Sequence, residues 1–251
     1  MITFGQIRDR IQPMRTDKKD RQAQMAFQVG ARRLASETFV LQEIVIFTMP
    51  AGAFAVEPYS QASQIVLGDG SSLTIDPTTL TYSDPTDNPW EKETVTIFKA
   101  EFLSSDGSWR GLHLYNQQLL GKMSHKIEPG WGTMRAYTSD QGRFRPNIPP
   151  AADTQVRAVV AYQPTGDFDE VCFSHQFEDA LVEGALAHYL RLPGKGRDLA
   201  AAADADGRFL SMASGLRGMA LIGDQGYVRG STSPRKHERW GRFMSHDTLE
   251  P

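Results

Sequence analysis

Apolar residues recur at helical spacing near the C-terminal third of the chain. Between Phe177 and Tyr189 they return every three or four positions, which is the period of one helix face. Pro193 and Gly194 end this pattern, because proline cannot continue a helix and glycine favours helix C-termini. An alanine-rich helix with Phe209 on its apolar side is predicted after the short connection. The pattern predicts an antiparallel helical hairpin.

The first helix of the hairpin carries small side chains among its apolar positions. Small side chains let a neighbouring helix approach closely, so we expect this face to pack against another helix, within the subunit or across a ring of subunits. The candidate residues for helix packing and ring assembly are Ala180, Leu181, Gly184, Ala185 and Ala187.

Two further helices are predicted at the N-terminus. Phe4, Ile7 and Ile11 share one helix face, and Pro13 ends that pattern. A second helix is predicted over residues 17–33, where the Lys and Arg residues are expected to form a solvated face.

The pattern changes from about residue 39 to residue 166. Short runs rich in β-branched and aromatic residues alternate with turn signals such as Asp106-Gly107 and Gln141-Gly142. Many short strands separated by Gly and Pro turns are typical of an antiparallel sandwich or barrel.

These elements predict an α+β fold with four parts. The expected architecture is a helical core built from both chain ends, an inserted antiparallel β-sandwich or barrel domain, and an extended C-terminal arm that lacks any helical or strand period. The predicted boundaries are 1–38 for the N-terminal helices, 39–166 for the β-domain, 167–222 for the hairpin and 223–251 for the arm.

Composition describes a soluble globular protein of 251 residues whose charge is unevenly distributed. Residues 1–40 hold eight Lys and Arg against four Asp and Glu, whereas residues 41–170 hold nine against sixteen. This asymmetry favours faces with different neighbours. There is no dense basic patch for reading nucleic acid, no apolar run of membrane-spanning length, and no secretory signal is expected.

No motif assembles a catalytic, cofactor or metal site, so we expect no enzyme activity and no cofactor. Cys172 and His175 have no second pair to complete a zinc set, and Cys172 is expected to be a buried small hydrophobe. Residues 204–207 lack the first and last ligands of a calcium loop. Two alternatives stay open: a carbohydrate-binding module that stacks sugars on Trp90, Trp109 and Trp131, and a small hydrolase that uses Asp167, Asp169 and Glu170.

Residues 155–221 resemble the tail adaptor proteins of tailed bacteriophages, the head-to-tail connectors beneath the portal. The resemblance consists of a strand (VRAVVAYQP), an acidic turn, the helix FEDALVEGALAHYLRLPGK and a downstream alanine-rich helix with a Phe. It implies a structural virion protein of the neck. Such proteins form a ring, expected to be dodecameric, that lines the DNA exit channel, binds the portal, and carries nozzle or other tail proteins. DNA would pass without specific recognition, and assembly would take place in the bacterial host cytoplasm.

The resemblance also implies that a C-terminal extension docks onto the portal. Residues 224–251 combine arginines with aromatic side chains, the residue types that dominate binding hot spots. The candidate portal-binding residues are Tyr227, Arg229, Arg235, Lys236, Arg239, Trp240, Arg242 and Phe243.

Overall fold

The protein is a mixed α+β molecule, which confirms the predicted class. The computed structural model describes residues 1–11, 17–66, 72–76, 81–82, 91–114, 134, 136–193 and 197–230. Within these ranges the helices are α1 (Phe4–Ile11), α2 (Asp17–Thr38), α3 (Glu178–Tyr189) and α4 (Leu199–Gly230), with 3₁₀ turns at Tyr59–Gln61 and His175–Phe177.

Most of the described strands belong to one large sheet. The strands are β1 (Ile2–Thr3), β2 (Gln42–Met49), β3 (Ala62–Val66), β4 (Ser72–Asp76), β5 (Thr81–Tyr82), β6 (Glu91–Leu103), β7 (Trp109–Leu114), β8 (Ala136–Asp140), β9 (Arg143–Pro146), β10 (Thr154–Thr165) and β11 (Glu170–Val171). The large sheet has the order β5-β4-β3-β2-β10-β6-β7-β8-β9, and β1 pairs separately with β11.

The described strand pairs are antiparallel except for β7 and β8, which run parallel. The expectation of a purely antiparallel β-domain is therefore wrong for this pair. Parallel neighbours need a long crossover rather than a tight turn, and twenty-one residues separate the end of β7 from the start of β8. The turn signals on either side gave no indication of this crossover.

The large sheet folds back on itself. Strand β9 is last in the strand order, yet Phe144 forms a β-bridge with Val56, which follows β2. The Phe144 ring also packs against Phe47 of β2, with centroids 5.5 Å apart, and stacks on Tyr137 at 5.2 Å. Side chains of β2 are alternately buried and half-buried, as the two-residue period of a strand requires. The buried members of β2 face this aromatic interior.

The predicted turn at Gln141-Gly142 joins β8 to β9. Both residues have positive φ, at 50° and 75°. A Cβ on Gly142 would lie 2.0 Å from the carbonyl oxygen of Thr94, so only glycine fits between this hairpin and β6.

Helix α4 is longer than the hairpin pattern predicts. It runs through Gly230, so residues 223–230 are helical and the predicted start of an extended arm at residue 223 is wrong. The glycines at 215, 218, 223 and 226 hide the helical period in the sequence. The remaining arm residues, 231–251, lie outside the described residues.

A charged pair is buried against the sheet. The Nζ of Lys92 lies 2.9 and 2.7 Å from the two carboxylate oxygens of Glu43, and the Tyr59 hydroxyl donates to the same carboxylate at 2.7 Å. Lys92 also sits 4.4 Å from the centre of the Tyr162 ring. The two charged side chains are only 2% and 4% exposed. Burial lowers the pKa of Lys92, and Glu43 partly opposes this effect by stabilising the ammonium.

Removing one partner of this pair should be more harmful than removing both. Lys92→Met leaves the Glu43 carboxylate buried without its counterion, so we expect a loss of about 3–5 kcal/mol in the free energy of unfolding. The double variant Lys92→Met with Glu43→Leu should recover much of that loss. Urea denaturation of the three proteins measures the difference, and a double variant less stable than the single one would contradict this account.

Candidate functional site

The helices from both chain ends meet at a point where backbones approach closely. A Cβ built on Gly30 of α2 would lie 2.7 Å from the backbone nitrogen of Ala185 in α3. A Cβ on Gly184 would lie 3.6 Å from the Cα of Gly30 and 3.0 Å from the Phe209 ring of α4. Any side chain at Gly30 would therefore separate the helices. We call α1, α2, α3 and residues 199–217 of α4 the helical cluster.

The predicted helix-packing residues all lie inside this cluster. Ala180, Leu181, Ala185 and Ala187 are at most 1% exposed, and Gly184 is buried beneath Phe209. Their described contacts are within one subunit. A role for these residues in ring assembly stays a prediction.

Within the cluster, helix α4 packs against the other helices through a narrow apolar seam. Over residues 199–217, where its side chains are described, the fully buried ones are Ala202, Ala205 and Phe209, and Ala213 is 3% exposed. Three of these four residues are alanines, so Phe209 provides the one large buried side chain among them. The flanks of the same helix stay accessible, since Leu210 is 47% and Met212 is 37% exposed.

Ion pairs surround this seam. The Asp206 carboxylate of α4 accepts hydrogen bonds from Arg33 of α2 and, at 2.8 Å, from Arg191 after α3. Arg33 also lies over the Phe209 ring, 4.4 Å from its centre. Hydrogen bonding by Arg191, reinforced by Arg33, lowers the pKa of Asp206. Arg208 adds a 3.0 Å bond to Glu183.

The arginines of the N-terminal helices are largely used inside the molecule. Arg10 bonds Glu178 at 3.1 Å and Asp179 at 2.7 Å. Arg32 donates to the carbonyl oxygens of Pro164 and Gly166. The expectation of a solvated basic face is wrong for Arg32 and Arg33, because Arg32 bonds the end of β10 and the turn after it, and Arg33 bonds Asp206 of α4.

The residues considered for catalysis do not form a reactive arrangement. The Asp169 side chain accepts from Gln24 at 2.5 Å, and its carbonyl oxygen accepts from the Phe4 amide at 2.6 Å. His175 is 74% exposed and lies 3.7 Å from Glu178. Cys172 is exposed, so the expectation that it is buried is wrong. Among the described residues, no group of three or more His, Cys, Asp or Glu side chains is arranged to hold a metal ion.

The candidate sugar-stacking tryptophan in the described part of the chain has a partner of its own. The Arg157 guanidinium lies 4.7 Å from the centre of the Trp109 ring and also bonds Glu101. A sugar could not stack on that ring face without displacing Arg157. Trp90 and Trp131 lie outside the described residues.

The predicted portal-binding residues divide between helix and undescribed chain. Tyr227 and Arg229 belong to the last turns of α4, which was not foreseen. The others, Arg235, Lys236, Arg239, Trp240, Arg242 and Phe243, lie outside the described residues.

No model of a known protein family matches the chain, and no curated protein matches it. Within the ranges that the structure describes, none of the helices is both long enough and apolar enough to cross a bilayer.

Sequence reasoning did not identify Gly30 as a contact residue. Gly30 lies on the apolar stripe of α2 and costs helix propensity there, and a glycine in such a position often marks a close packing contact. The sequence therefore contained a signal that Gly30 is a packing contact, but it did not identify Ala185 as the residue that Gly30 contacts.

Gly30→Ala should destabilise the subunit, whereas Gly207→Ala should not. The methyl group added at position 30 would meet the α3 backbone, so we expect a loss of roughly 1–3 kcal/mol in the free energy of unfolding. Gly207 is also a helical glycine, but a Cβ there meets nothing within 4 Å. Gly207→Ala should be neutral or gain up to about 1 kcal/mol from helix propensity. Equal effects of the two changes in urea denaturation would contradict the close approach.

Asp206→Asn should loosen α4 in a pH-dependent way. Because the pKa of Asp206 is lowered in the folded state, its carboxylate stabilises the fold above its ordinary pKa of 3.8. This contribution disappears as the pH falls through the lower folded-state pKa. At pH 7 we expect a loss of about 1 kcal/mol and faster amide hydrogen exchange in α4.

The matched control is Asp204→Asn, because Asp204 is 70% exposed and pairs with Arg208 one turn along the same helix. It should change stability by no more than about 0.5 kcal/mol. A difference between wild type and Asp206→Asn that persists undiminished below pH 3 would contradict the proposed role of the carboxylate.

Proposed function

We propose that this protein is a tail adaptor of a tailed bacteriophage, a structural ring between the portal and the rest of the tail. The observation that carries the proposal is the hairpin of α3 and α4, whose sequence has the adaptor-like features. In that hairpin the acidic first turn of α3 is bonded to Arg10, and Gly184 of α3 lies under the Phe209 ring.

The contacts between chain ends support this proposal. An adaptor needs a helical core that stays intact while the protein is held between two other rings. Gly30 and Arg33 of α2 contact the hairpin through Ala185 and Asp206, so the N-terminal helices and the hairpin form a single packed unit. In the proposed ring, this helical core would form the wall around the DNA exit channel.

Helix α4 gives the proposed arm a defined origin. Thirteen residues of helix follow Arg217, the last residue of the cluster, and they extend about 20 Å along the helix axis. We propose that this part of α4 leads to a portal-binding arm at residues 231–251, with Tyr227 and Arg229 at its base. The segment contains Trp240 and Phe243 together with Arg and Lys side chains.

Ring assembly would make weak individual arms sufficient. A segment that becomes ordered on docking loses conformational entropy, so one arm should bind weakly. Many arms presented by one ring bind together, and that multivalency makes attachment tight. The β-domain would face the nozzle or another downstream tail protein.

Deletion of residues 231–251 tests the proposal. The truncated protein should keep its fold and its ring size in analytical ultracentrifugation, because contacts among the described residues hold the helical cluster together. It should fail to co-sediment with purified portal rings. Trp240→Ala with Phe243→Ala should reproduce much of that loss, because aromatic anchors contribute most to such contacts.

Ser231→Ala with Ser233→Ala is the matched control, since it changes the same segment without removing an anchor. This control should bind the portal like wild type. A chain that remains monomeric at all concentrations, alone and with portal, would rule out the ring. Full portal binding by the truncated protein would rule out the arm.

A further inference from the structure

Helix α4 is held by fewer buried side chains than α3, the helix that precedes it. In α3, six of the twelve residues are buried, among them Leu181 and Val182. Over residues 199–217 of α4, Phe209 is the one large side chain among the buried apolar ones, and the others are alanines. Elements with few buried apolar contacts open at a lower free energy than the rest of a protein. By this measure α4 is bound to the cluster less firmly than α3.

The helical state of α4 depends little on the other helices. The Asp198 carboxylate, just ahead of α4, accepts hydrogen bonds from the Ala200 and Ala201 amides at 3.0 and 2.9 Å. This N-terminal cap moves with α4, because its donors and its acceptor are neighbours in the chain. The first residues of α4 read LAAAADA, and alanine has the highest helix propensity. Asp204 and Arg208, four residues apart, add an ion pair within the helix.

The connection between α3 and α4 has the properties of a hinge. It contains Pro193, which has no amide hydrogen to donate. In the described part of the connection, one backbone hydrogen bond joins its two sides, from the Asp198 amide to the Leu190 carbonyl oxygen at 3.1 Å. A rotation between residues 190 and 198 would break that bond and leave the backbone bonds within both helices intact.

Charged side chains supply further contacts that hold α4 in place. Asp206 bonds Arg33 and Arg191, and Arg208 bonds Glu183. Water reaches these pairs, since the side chains of Arg191 and Arg208 are 45% and 44% exposed. Dissolved salt screens ion pairs that are accessible to water. Raised ionic strength therefore weakens the attachment of α4 without acting on the apolar seam.

The other helices of the cluster have contacts of their own. The close approach at Gly30 is to the backbone of Ala185, so it joins α2 to α3. Arg10 of α1 bonds Glu178 and Asp179 of α3. None of these residues belongs to α4. The helices α1, α2 and α3 can therefore stay packed together while α4 is away from them.

We infer that α4 is a movable helix, which separates from the cluster as an intact helix by turning about residues 190–198. It closes again when Phe209 returns to its contacts with Gly184 and Arg33. Residues 218–230 continue the same helix beyond the seam, so a molecule that binds them better in the open state shifts the equilibrium towards opening. The motion follows from contacts within one subunit and does not rest on the proposed ring or arm.

Thiol labelling of the full chain measures the opening. Cys172→Ser removes the exposed native thiol, and Ala205→Cys places a thiol in the seam, where Ala205 is fully buried. With dilute iodoacetamide the labelling rate follows the population of the open state. The matched control is Ala158→Cys in β10, a position that is equally buried and lies outside the cluster.

The seam thiol should be labelled about tenfold faster than the control thiol, or more. Raising the NaCl concentration from about 0.05 M to about 0.5 M should speed labelling of the Ala205→Cys variant about threefold and leave the Ala158→Cys variant unchanged. Equal labelling of the two variants, or a labelling rate at the seam that does not respond to salt, would overturn the inference.

Two glycines distinguish movement of an intact helix from unfolding of α4. A Cβ on Gly207 or on Gly215 meets nothing within 4 Å, so alanine at both positions raises helix propensity without touching the seam. If α4 stays helical when it opens, Gly207→Ala with Gly215→Ala should change labelling of the Ala205→Cys variant by less than about twofold. Labelling slowed about tenfold or more would show that α4 opens by unfolding, which overturns the inference.

Ala213→Cys repeats the measurement farther along the seam, in case a sulfur atom at position 205 itself loosens the helix. An intact helix leaves the seam along its whole length, so both seam positions should be labelled faster than Ala158→Cys. Labelling at position 213 as slow as in the control would contradict the movement. Equal melting temperatures of the three cysteine variants show that the rates compare one and the same fold.

Discussion

The close approach of α2 and α3 at Gly30 and Ala185 is the contact on which the rest of the helical cluster depends. It brings Gly184 against the Phe209 ring, and Arg33 lies over the same ring. A methyl group between the two backbones would push α3 away from α2. Phe209 would then lose its packing against Gly184, and Asp206 would move away from Arg33. The absence of a side chain at Gly30 thus allows both the apolar contact of α4 through Phe209 and its ionic contact through Asp206.

The packing of the helices is also linked to the large sheet, through the C-terminal end of α2. The Thr38 hydroxyl donates to the carbonyl oxygen of Leu34, and Phe39 follows with φ of 54°, so the chain turns sharply from helix into β2. The Phe39 ring is held between Phe98 of β6 and Arg217 of α4. Phe39, whose backbone conformation is uncommon, therefore links the packing of α4 to the point where α2 leads into β2.

Local features of this fold were predictable, and distant partners were not. The helix faces of α1, α2 and α3 and the turn at Gln141-Gly142 follow from spacing within a few residues. The pairing of Lys92 with Glu43, 49 residues apart, left no periodic trace, and neither did the bonds of Arg32 to the turn at residues 164–166. For the candidate site, the small residues of α3 were recognised, but their neighbour Gly30 was not identified as a contact residue. The spacing of apolar residues predicts which face of a helix is buried, but it does not identify the element that packs against that face.

The bonds of Arg10 to Glu178 and Asp179 span 168 and 169 residues. During synthesis on the ribosome, the first two helices therefore leave the exit tunnel long before their partners exist. The entire β-domain must be translated while the apolar faces of α1 and α2 remain uncovered. Contacts of such high sequence separation form slowly, so the newly made chain should depend on protection by a chaperone until the hairpin has emerged.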